Sequence, residues 1–233
     1  MMRASLLFLL ALAPPASAAT ICDAVWRDAA RARDLPVRIR MPDGRAKVAA
    51  VLWSPGLGGD IRGGSAWGEA WAAQGIAVIH LQHPGSDSAV YQGAATPEER
   101  RARVVAAATP AQLVARVGDV GFVADELARR PREGACDLTR IDLERLGLAG
   151  HSMGAWAVQG VAGQRFGPMG EDALTDRRFR ALVAFSPTGR SGADAAAAFA
   201  EVRRPFLAIT GTADGMPLSA RPEQRSQALA QRT

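Results

Sequence analysis

The sequence predicts one α/β domain, with a mostly parallel sheet and helices on both faces. Strand-like apolar runs alternate with helical segments along the chain, which is the pattern of a parallel sheet. The pentapeptide G-x-S-x-G at residues 150–154 joins one such run to a helical segment. The length of 233 residues suits a single α/β domain, and 48% hydrophobic with 22% charged residues is ordinary for a globular protein.

The strands are predicted from short apolar or alternating runs bounded by turn residues. Segment 36–41 alternates, 42–44 is a turn and 46–53 is the next strand, so we expect an antiparallel opening. Buried strands should follow at Ile76–Leu81, Leu146–Ala149, Ala181–Phe185 and Pro205–Thr210.

Two helix starts are predicted by threonine caps followed by proline, at Thr96 and at Thr109. Apolar residues recur at helical spacing after the second cap and predict a long helix, namely Leu113, Val117, Val120 and Leu127. The first, arginine-rich helix belongs to segment 86–108, which we expect to leave the sheet and to border the site.

The pentapeptide Gly150-His-Ser-Met-Gly154 has the order strand, tight turn and helix. A serine on such a turn stands above the end of the sheet, where a base can reach it and a helix N-terminus can stabilise negative charge. Side chains at the two flanking glycines would collide with the neighbouring strand or helix. We therefore expect Ser152 to be a nucleophile and the Met153 N–H to donate to an oxyanion. The alternative is a chance match in a chain with 24 glycines.

A second oxyanion donor is expected from the segment Ser54-Pro-Gly-Leu-Gly-Gly59, which directly follows a predicted strand. We assign the Leu57 N–H to this role, with a simple glycine-rich turn as the alternative. The orienting acid should follow a later strand, and Asp214 does so. Asp194 and Asp176 are weaker candidates, and Asp214 is alternatively an ordinary turn aspartate.

The base is not found among the three histidines, because all of them precede Ser152 whereas such folds run serine, acid, histidine. We expect His80 to lie in a buried strand, His83 to be a hydrogen-bonded turn residue, and His151 to turn away from the nucleophile. We therefore expect the sequence to be a fragment that lacks a last strand, a histidine loop and a helix.

The N-terminus predicts export. Residues 1–19 have a positive start, an apolar stretch and a small-residue cleavage site, so a signal peptide should precede a domain over 20–233 and place it in the periplasm or outside the cell. No later segment has the roughly 20 apolar residues of a membrane-spanning helix. In an oxidising compartment, Cys22 and Cys136 form either a disulfide or two separate thiols.

The net charge of +5 comes from arginines spread along the chain, and Lys47 is the only lysine. Spread charge is typical of solvated faces, so no nucleic-acid partner is expected. The residues assigned above need no metal or cofactor. The oligomeric state is left open.

These motifs together resemble those of secreted α/β-hydrolases described as predicted dienelactone hydrolases, which are related to platelet-activating factor acetylhydrolases. The likeness covers the opening strands from Trp26, the segment 54–59, His83-Pro-Gly-Ser-Asp87, the pentapeptide, and the segments 185–187 and 210–214. It implies an α/β-hydrolase fold with Ser152 as nucleophile, Asp214 as acid, and Leu57 and Met153 as oxyanion donors. True dienelactone hydrolases have cysteine in place of Ser152, so their substrate is not carried over.

The resulting expectation is a serine hydrolase that cleaves small carboxylic esters through an acyl-serine. Two alternatives remain. A non-catalytic α/β-hydrolase-fold binding module is supported by the missing histidine alone, and a serine peptidase acting on short peptides would use the same residues and differ only in its pocket.

Overall fold

A computed structural model describes residues 19–166, 174–187 and 197–212, together with Asp214. The predicted signal lies outside these ranges except for Ala19. In chain order the elements are β1 Ala19–Asp28, β2 Arg33–Pro42, β3 Val48–Ser54, α1 Ser65–Ala73, β4 Ala77–Leu81, α2 Pro97–Ala106, α3 Pro110–Arg129, β5 Arg132–Glu133, β6 Cys136–Asp137, β7 Ile141–His151, α4 Met153–Ala162, β8 Phe179–Phe185 and β9 Phe206–Ile209.

Within the described ranges, seven strands form one sheet in the order β1-β2-β4-β3-β7-β8-β9. The pairs from β4 to β9 are parallel, whereas β1 with β2 and β2 with β4 are antiparallel. The predicted α/β class with a mostly parallel sheet is therefore confirmed. The carboxyl ends of β3, β7, β8 and β9 meet at one edge of the sheet, where ligand sites of parallel sheets lie.

The predicted pairing of the opening strands is wrong. The hairpin partner of β2 is β1, which the sequence analysis did not identify, and β4 lies between β2 and β3. The strand β1 was not predicted because charged residues interrupt its apolar pattern. Two of them, Asp23 and Arg27, form ion pairs with Arg38 and Asp34 on β2. All five residues of β4 are buried, which fits an inner position in the sheet.

Successive side chains of the inner strands point to opposite faces of the sheet, and they belong to two separate cores, one on each face. On one face Leu52 and Ile79 belong to the main core, which includes Val120 of α3 and Val158 of α4. On the other face Trp53 packs with Val78, Ala149 and Phe185, and Trp71 of α1 covers them. Helices therefore cover both faces, as predicted.

Both predicted helix starts are confirmed by their caps. The Thr96 hydroxyl accepts the N–H of Glu99 at 3.1 Å, and the Thr109 hydroxyl accepts that of Gln112 at 3.2 Å. In α3 the predicted positions Leu113, Val120 and Leu127 are buried, while Val117 packs against the core less completely. No helix in the described ranges combines the length and the apolar character that a membrane crossing requires.

Cys22 of β1 and Cys136 of β6 form a disulfide, with their Cα atoms 6.2 Å apart. Of the two states that the sequence left open, a disulfide or two separate thiols, the structure therefore has the disulfide. It joins the edge strand β1 to the short β5–β6 hairpin that precedes β7, across 114 residues of chain. A covalent link across so long a segment restricts the unfolded chain strongly.

Reduction of this disulfide should lower the stability of the protein without changing its fold. For a closed loop of this length the loss is about 4 kcal/mol, or roughly 10 °C in melting temperature. Circular dichroism melts with and without a phosphine reductant measure the shift, and the Cys22→Ser/Cys136→Ser double variant is the control that should not respond. Two titratable thiols in denatured, unreduced protein would contradict the assignment.

Candidate active site

Ser152 lies between the last residue of β7 and the first residue of α4, in a backbone conformation that side chains rarely adopt. Its φ of 54° and ψ of −116° lie in strained territory for a residue with a Cβ. This sharp reversal lets the strand pass directly into the helix. Ser152 consequently lines the large cleft at the carboxyl edge of the sheet, and the predicted strand, turn and helix are all present.

The two glycines of the pentapeptide are required by close backbone contacts. A Cβ on Gly150 would lie 2.5 Å from the carbonyl group of Gly154, in the first turn of α4. A Cβ on Gly154 would lie 1.9 Å from the carbonyl oxygen of Ser54, at the end of β3. The collisions with helix and strand expected from the sequence are thus found, one at each glycine.

Residues 54–59, hereafter the glycine loop, follow β3 and lie beside Ser152. A Cβ on Gly56 would be 3.5 Å from the Ser152 Cβ. Leu57, the next residue, and Met153 both line the same cleft as Ser152. The structure therefore places Leu57, Ser152 and Met153, three of the four residues assigned from the sequence, in one cleft.

The cleft has a volume of about 1180 Å³ and is mainly apolar. Aromatic side chains form its floor: Phe185 packs against Trp53 and Trp67 in tilted arrangements, with ring centres 5.5 Å and 4.7 Å apart. Trp156 of α4 also lines it, whereas Trp71 packs behind Trp53 and Trp67. The opposite wall belongs to α2, as expected of segment 86–108, through Arg100, Arg101, Val104 and Val105.

Asp214 also lines the cleft, beyond the carboxyl end of β9. The Thr210 hydroxyl donates to its carboxylate at 3.2 Å, and its N–H donates to the carbonyl of Gly211 at 3.1 Å. Asp176 is excluded as the acid, because it precedes β8 at the far end of the sheet and pairs with Arg178 at 2.6 Å. The third candidate, Asp194, lies outside the described residues.

None of the three histidines hydrogen-bonds to the Ser152 hydroxyl among the described contacts. His80 is buried in β4, as predicted, and donates from Nδ1 to the carbonyl of Gly63 at 3.0 Å. His151 does not turn away, contrary to our expectation: it is exposed and lines the cleft. Its ring has room there because Gly56 carries no side chain, and a Cβ on Gly56 would lie 3.2 Å from the imidazole Nδ1.

Comparison with solved structures identifies the architecture. The chain is similar to a protein assigned as a dipeptidyl aminopeptidase IV from Bacteroides ovatus ATCC 8483, with a TM-score of 0.57 and 14% identity over 91% of this chain and 30% of the other. It is also similar to a cold-adapted esterase from an Arctic intertidal metagenomic library, with a TM-score of 0.55 and 15% identity over 91% of this chain and 80% of the esterase. The chain has the α/β-hydrolase fold.

At such low identity the likeness is one of fold alone. The chain spans 30% to 49% of the length of several of the similar structures. Neither a protein-family model nor a curated protein sequence matches it.

Beneath the cleft of this α/β-hydrolase fold, His83 links the end of β3 to α3. Its Nε2 accepts from the Ser54 hydroxyl at 2.9 Å, and its Nδ1 donates to the Asp119 carboxylate at 3.0 Å. The order serine, histidine, aspartate is that of a catalytic triad, but all three side chains are 0% exposed, so no substrate carbonyl can approach them. His83 is thus the hydrogen-bonded turn residue that the sequence predicts.

The charges in this network keep His83 neutral. Burial lowers the pKa of the His83 imidazole to about 4, helped by the Arg116 charge and opposed by the bond to Asp119. Burial alone would raise the pKa of Asp119, but hydrogen bonds from His83 and Arg33 hold it below its usual value. Arg33 reaches that carboxylate at 2.7 Å and Arg31 at 2.9 Å.

The roles of Ser54, Arg116 and Asp119 were not predicted from the sequence. A signal for Arg116 was present, because it occupies a position of the α3 stripe that should be apolar, three residues after Leu113 and four before Val120. A charged residue in such a stripe is buried only when it is paired or hydrogen-bonded. The partners of Arg116 come from segments 54–59 and 83–86, which the sequence did not connect to α3.

A Gly154→Ala variant should be strongly destabilised, because the added Cβ must displace the backbone at the end of β3. We expect a loss of about 3 kcal/mol, the upper range for overpacking a core. Gly121→Ala in α3 is the matched control: the nearest atom is the flexible Arg178 guanidinium at 3.6 Å, so alanine should add about 1 kcal/mol of helix propensity. Urea unfolding measures both changes, and equal stabilities would contradict the assigned contact.

The protein should lose stability as the pH falls from 6.5 towards 4. Burial lowers the pKa of both His80 and His83 from 6.5 to about 4, so the unfolded chain takes up protons that the folded chain refuses. Their contribution is complete above pH 6.5 and disappears across this window, by roughly 3 kcal/mol for each imidazole. Urea unfolding from pH 7.5 to 4.5 measures it. His83→Gln should remove about half of the pH dependence, and an unchanged slope would speak against a neutral His83.

Proposed function

We propose that this protein is a serine hydrolase that cleaves small carboxylic esters through an acyl-serine intermediate. The observation that carries the proposal is Ser152 itself, a strained residue that faces an apolar cleft beside the glycine loop. A strained backbone conformation persists only where the surrounding structure enforces it, and such positions concentrate at active sites.

In the proposed reaction the Ser152 Oγ attacks the ester carbonyl carbon while a base takes the hydroxyl proton. The carbonyl oxygen becomes an anion and accepts hydrogen bonds from the Leu57 and Met153 N–H groups. Both donors are available for this. Leu57 N–H donates to no acceptor within the described residues, and Met153 N–H, in the first turn of α4, has no partner inside the helix. The ester C–O bond then breaks, and the alcohol leaves with the proton.

Water completes the cycle by hydrolysing the acyl-serine. Asp214 is proposed to orient the imidazole that serves as base, since its carboxylate lines the cleft with Ser152. We assign this imidazole to none of His80, His83 and His151, because the first two are buried in other hydrogen bonds and no such bond joins the third to Ser152 among the described contacts.

An ester is favoured over a peptide by two observations. The chain covers 80% of the esterase to which it is similar but 30% of the aminopeptidase. A peptide amino terminus also needs an acidic partner, and Asp214 is the one acid among the described residues that line the cleft. Since Asp214 is assigned to the base, the remaining walls suit an uncharged or anionic ester.

We also propose that the protein works outside the cytoplasm, as the sequence of residues 1–19 predicts, and that it belongs to the secreted hydrolases named above. The disulfide between Cys22 and Cys136 supports the location, because such bonds persist in oxidising compartments.

The test is labelling of Ser152 by a fluorophosphonate probe, with imidazole added to supply the base. Attack of the serine oxygen on phosphorus expels fluoride, so peptide mass spectrometry reports the modified residue. We expect imidazole-dependent labelling at Ser152, no labelling in Ser152→Ala, and retained labelling in Ser186→Ala, which changes the neighbouring serine of the cleft. A folded protein that stays unlabelled at every imidazole concentration would instead favour a non-catalytic binding module.

A further inference from the structure

The glycine loop is held from below by Arg116 of α3, whose side chain is fully buried. Its guanidinium donates to the carbonyl oxygens of Pro55 at 2.6 Å, Gly56 at 3.3 Å and Ser86 at 3.0 Å, and to the Ser86 hydroxyl at 2.8 Å. No carboxylate of the described residues lies within ion-pair distance. The direct partners of the guanidinium are therefore the Ser86 hydroxyl and backbone carbonyls, two of which belong to the glycine loop, while Asp119 and Asp87 favour its charge from a longer distance.

A buried cation without an ion pair is an expensive way to stabilise a core, since an apolar side chain of similar size costs no desolvation. Burial lowers the pKa of Arg116 to about 10, so the guanidinium is still charged at neutral pH. The desolvation cost of this buried charge is explained if Arg116 serves to orient the carbonyl groups that it binds. A cation fixes carbonyl directions in a way that apolar packing does not.

The direction of the Gly56 carbonyl determines the direction of the Leu57 N–H. The two groups belong to one planar trans peptide, in which C=O and N–H point to opposite sides. The Gly56 carbonyl points at Arg116 and also accepts the N–H of Gly59 at 3.0 Å. The Leu57 N–H consequently points away from α3. It leaves the loop on the side opposite the guanidinium.

The next two peptide groups are fixed as well. The Gly58 N–H donates to the carbonyl of Ser86 at 2.9 Å, an oxygen that Arg116 also binds. The Gly58 carbonyl accepts the Tyr91 hydroxyl at 2.9 Å. At the start of the loop, the Ser54 hydroxyl is held by His83. Among the described residues the Leu57 N–H therefore has no acceptor, whereas the N–H groups of Gly58 and Gly59, the next two residues, both donate to carbonyls.

We propose that Arg116 is a positioning residue that aims the Leu57 N–H at the oxyanion of the reacting ester, with Tyr91 as a second, weaker support. The inference rests on the proposed function, because it assumes that a substrate oxygen is bound there. A donor that is already oriented needs no reorganisation when charge develops, which is the main advantage of an oxyanion hole.

The test compares fluorophosphonate labelling kinetics at fixed imidazole, because the phosphoryl oxygen occupies the oxyanion position. For Arg116→Met we expect the maximal labelling rate to fall about tenfold to hundredfold while the probe concentration at half-maximal rate stays unchanged. Arg116→Lys should restore part of the rate, since it keeps a buried cation near the same carbonyls. Tyr91→Phe should lower the maximal rate by a smaller factor.

Arg204→Met is the matched control. Arg204 also binds backbone carbonyls, including Phe179 at 2.9 Å, but at the opposite end of the sheet from Ser152. Its loss should lower the melting temperature and leave the labelling rate of the folded protein unchanged. A purely structural role for Arg116 would give Arg116→Met the same behaviour as this control, and that result would overturn the inference.

Should Arg116→Met fail to fold, Arg116→Lys and Tyr91→Phe decide the question. Unchanged maximal rates in both variants would reject the inference, as would a change confined to the half-saturating probe concentration. A wild-type protein that is not labelled at Ser152 is a distinct result: it removes the proposed function, and the inference with it.

Discussion

The site depends on one close backbone contact, between the end of β3 and the first turn of α4. The Ser54 carbonyl oxygen occupies the space of a side chain at Gly154, so strand and helix touch without any side chain between them. The contact places the glycine loop beside Ser152, because the loop starts at the residue that is pressed against the helix. It also explains why the strained Ser152 backbone is stable, because the turn joins a strand that pairs with β3 and β8 to a helix that is packed against the end of β3.

Beneath this contact lies a buried polar layer, formed by Arg31, Arg33, His83, Arg116 and Asp119, at a place that apolar side chains could fill without a desolvation cost. Asp119 accepts hydrogen bonds from Arg33 and His83 and forms an ion pair with Arg31, and Arg116 lies one turn earlier in the same helix. Positions three apart on a helix lie on one face, so both charged residues of α3 point towards the carboxyl ends of β3 and β4. Their hydrogen bonds fix backbone atoms in place. The layer therefore adds less to stability than to the rigidity of the groups around Ser152, since a satisfied buried network constrains geometry at the expense of desolvation.

How much the sequence predicts depends on how local each signal is. The strands β3, β4, β7, β8 and β9, the two threonine caps and the Ser152 turn are encoded within a few neighbouring residues, and all of them were predicted; the short strands β5 and β6 were not. The partner of β2 is a long-range matter, so the expected hairpin with β3 is wrong. The place of Asp214 at the cleft was predictable because it follows a strand, whereas the contacts of Arg116 and Asp119 were not. A periodic apolar pattern indicates which face of α3 is buried but not what a charged residue on that face binds.

The floor of the cleft and its α2 wall differ in how many buried contacts hold them. We infer that the floor carries the proposed chemistry and that the wall can determine which substrate is selected. The floor consists of strand ends, the glycine loop and the start of α4, all backed by the core. The α2 wall has no buried residue of its own, and it is linked to the floor by Arg100, which lies 4.0 Å above the ring of Tyr91. Segments with few buried contacts open and vary at little energetic cost. If the protein is the proposed esterase, changes in α2 can select the acyl or alcohol group without moving Leu57 or Ser152, because none of the hydrogen bonds described for the glycine loop comes from α2.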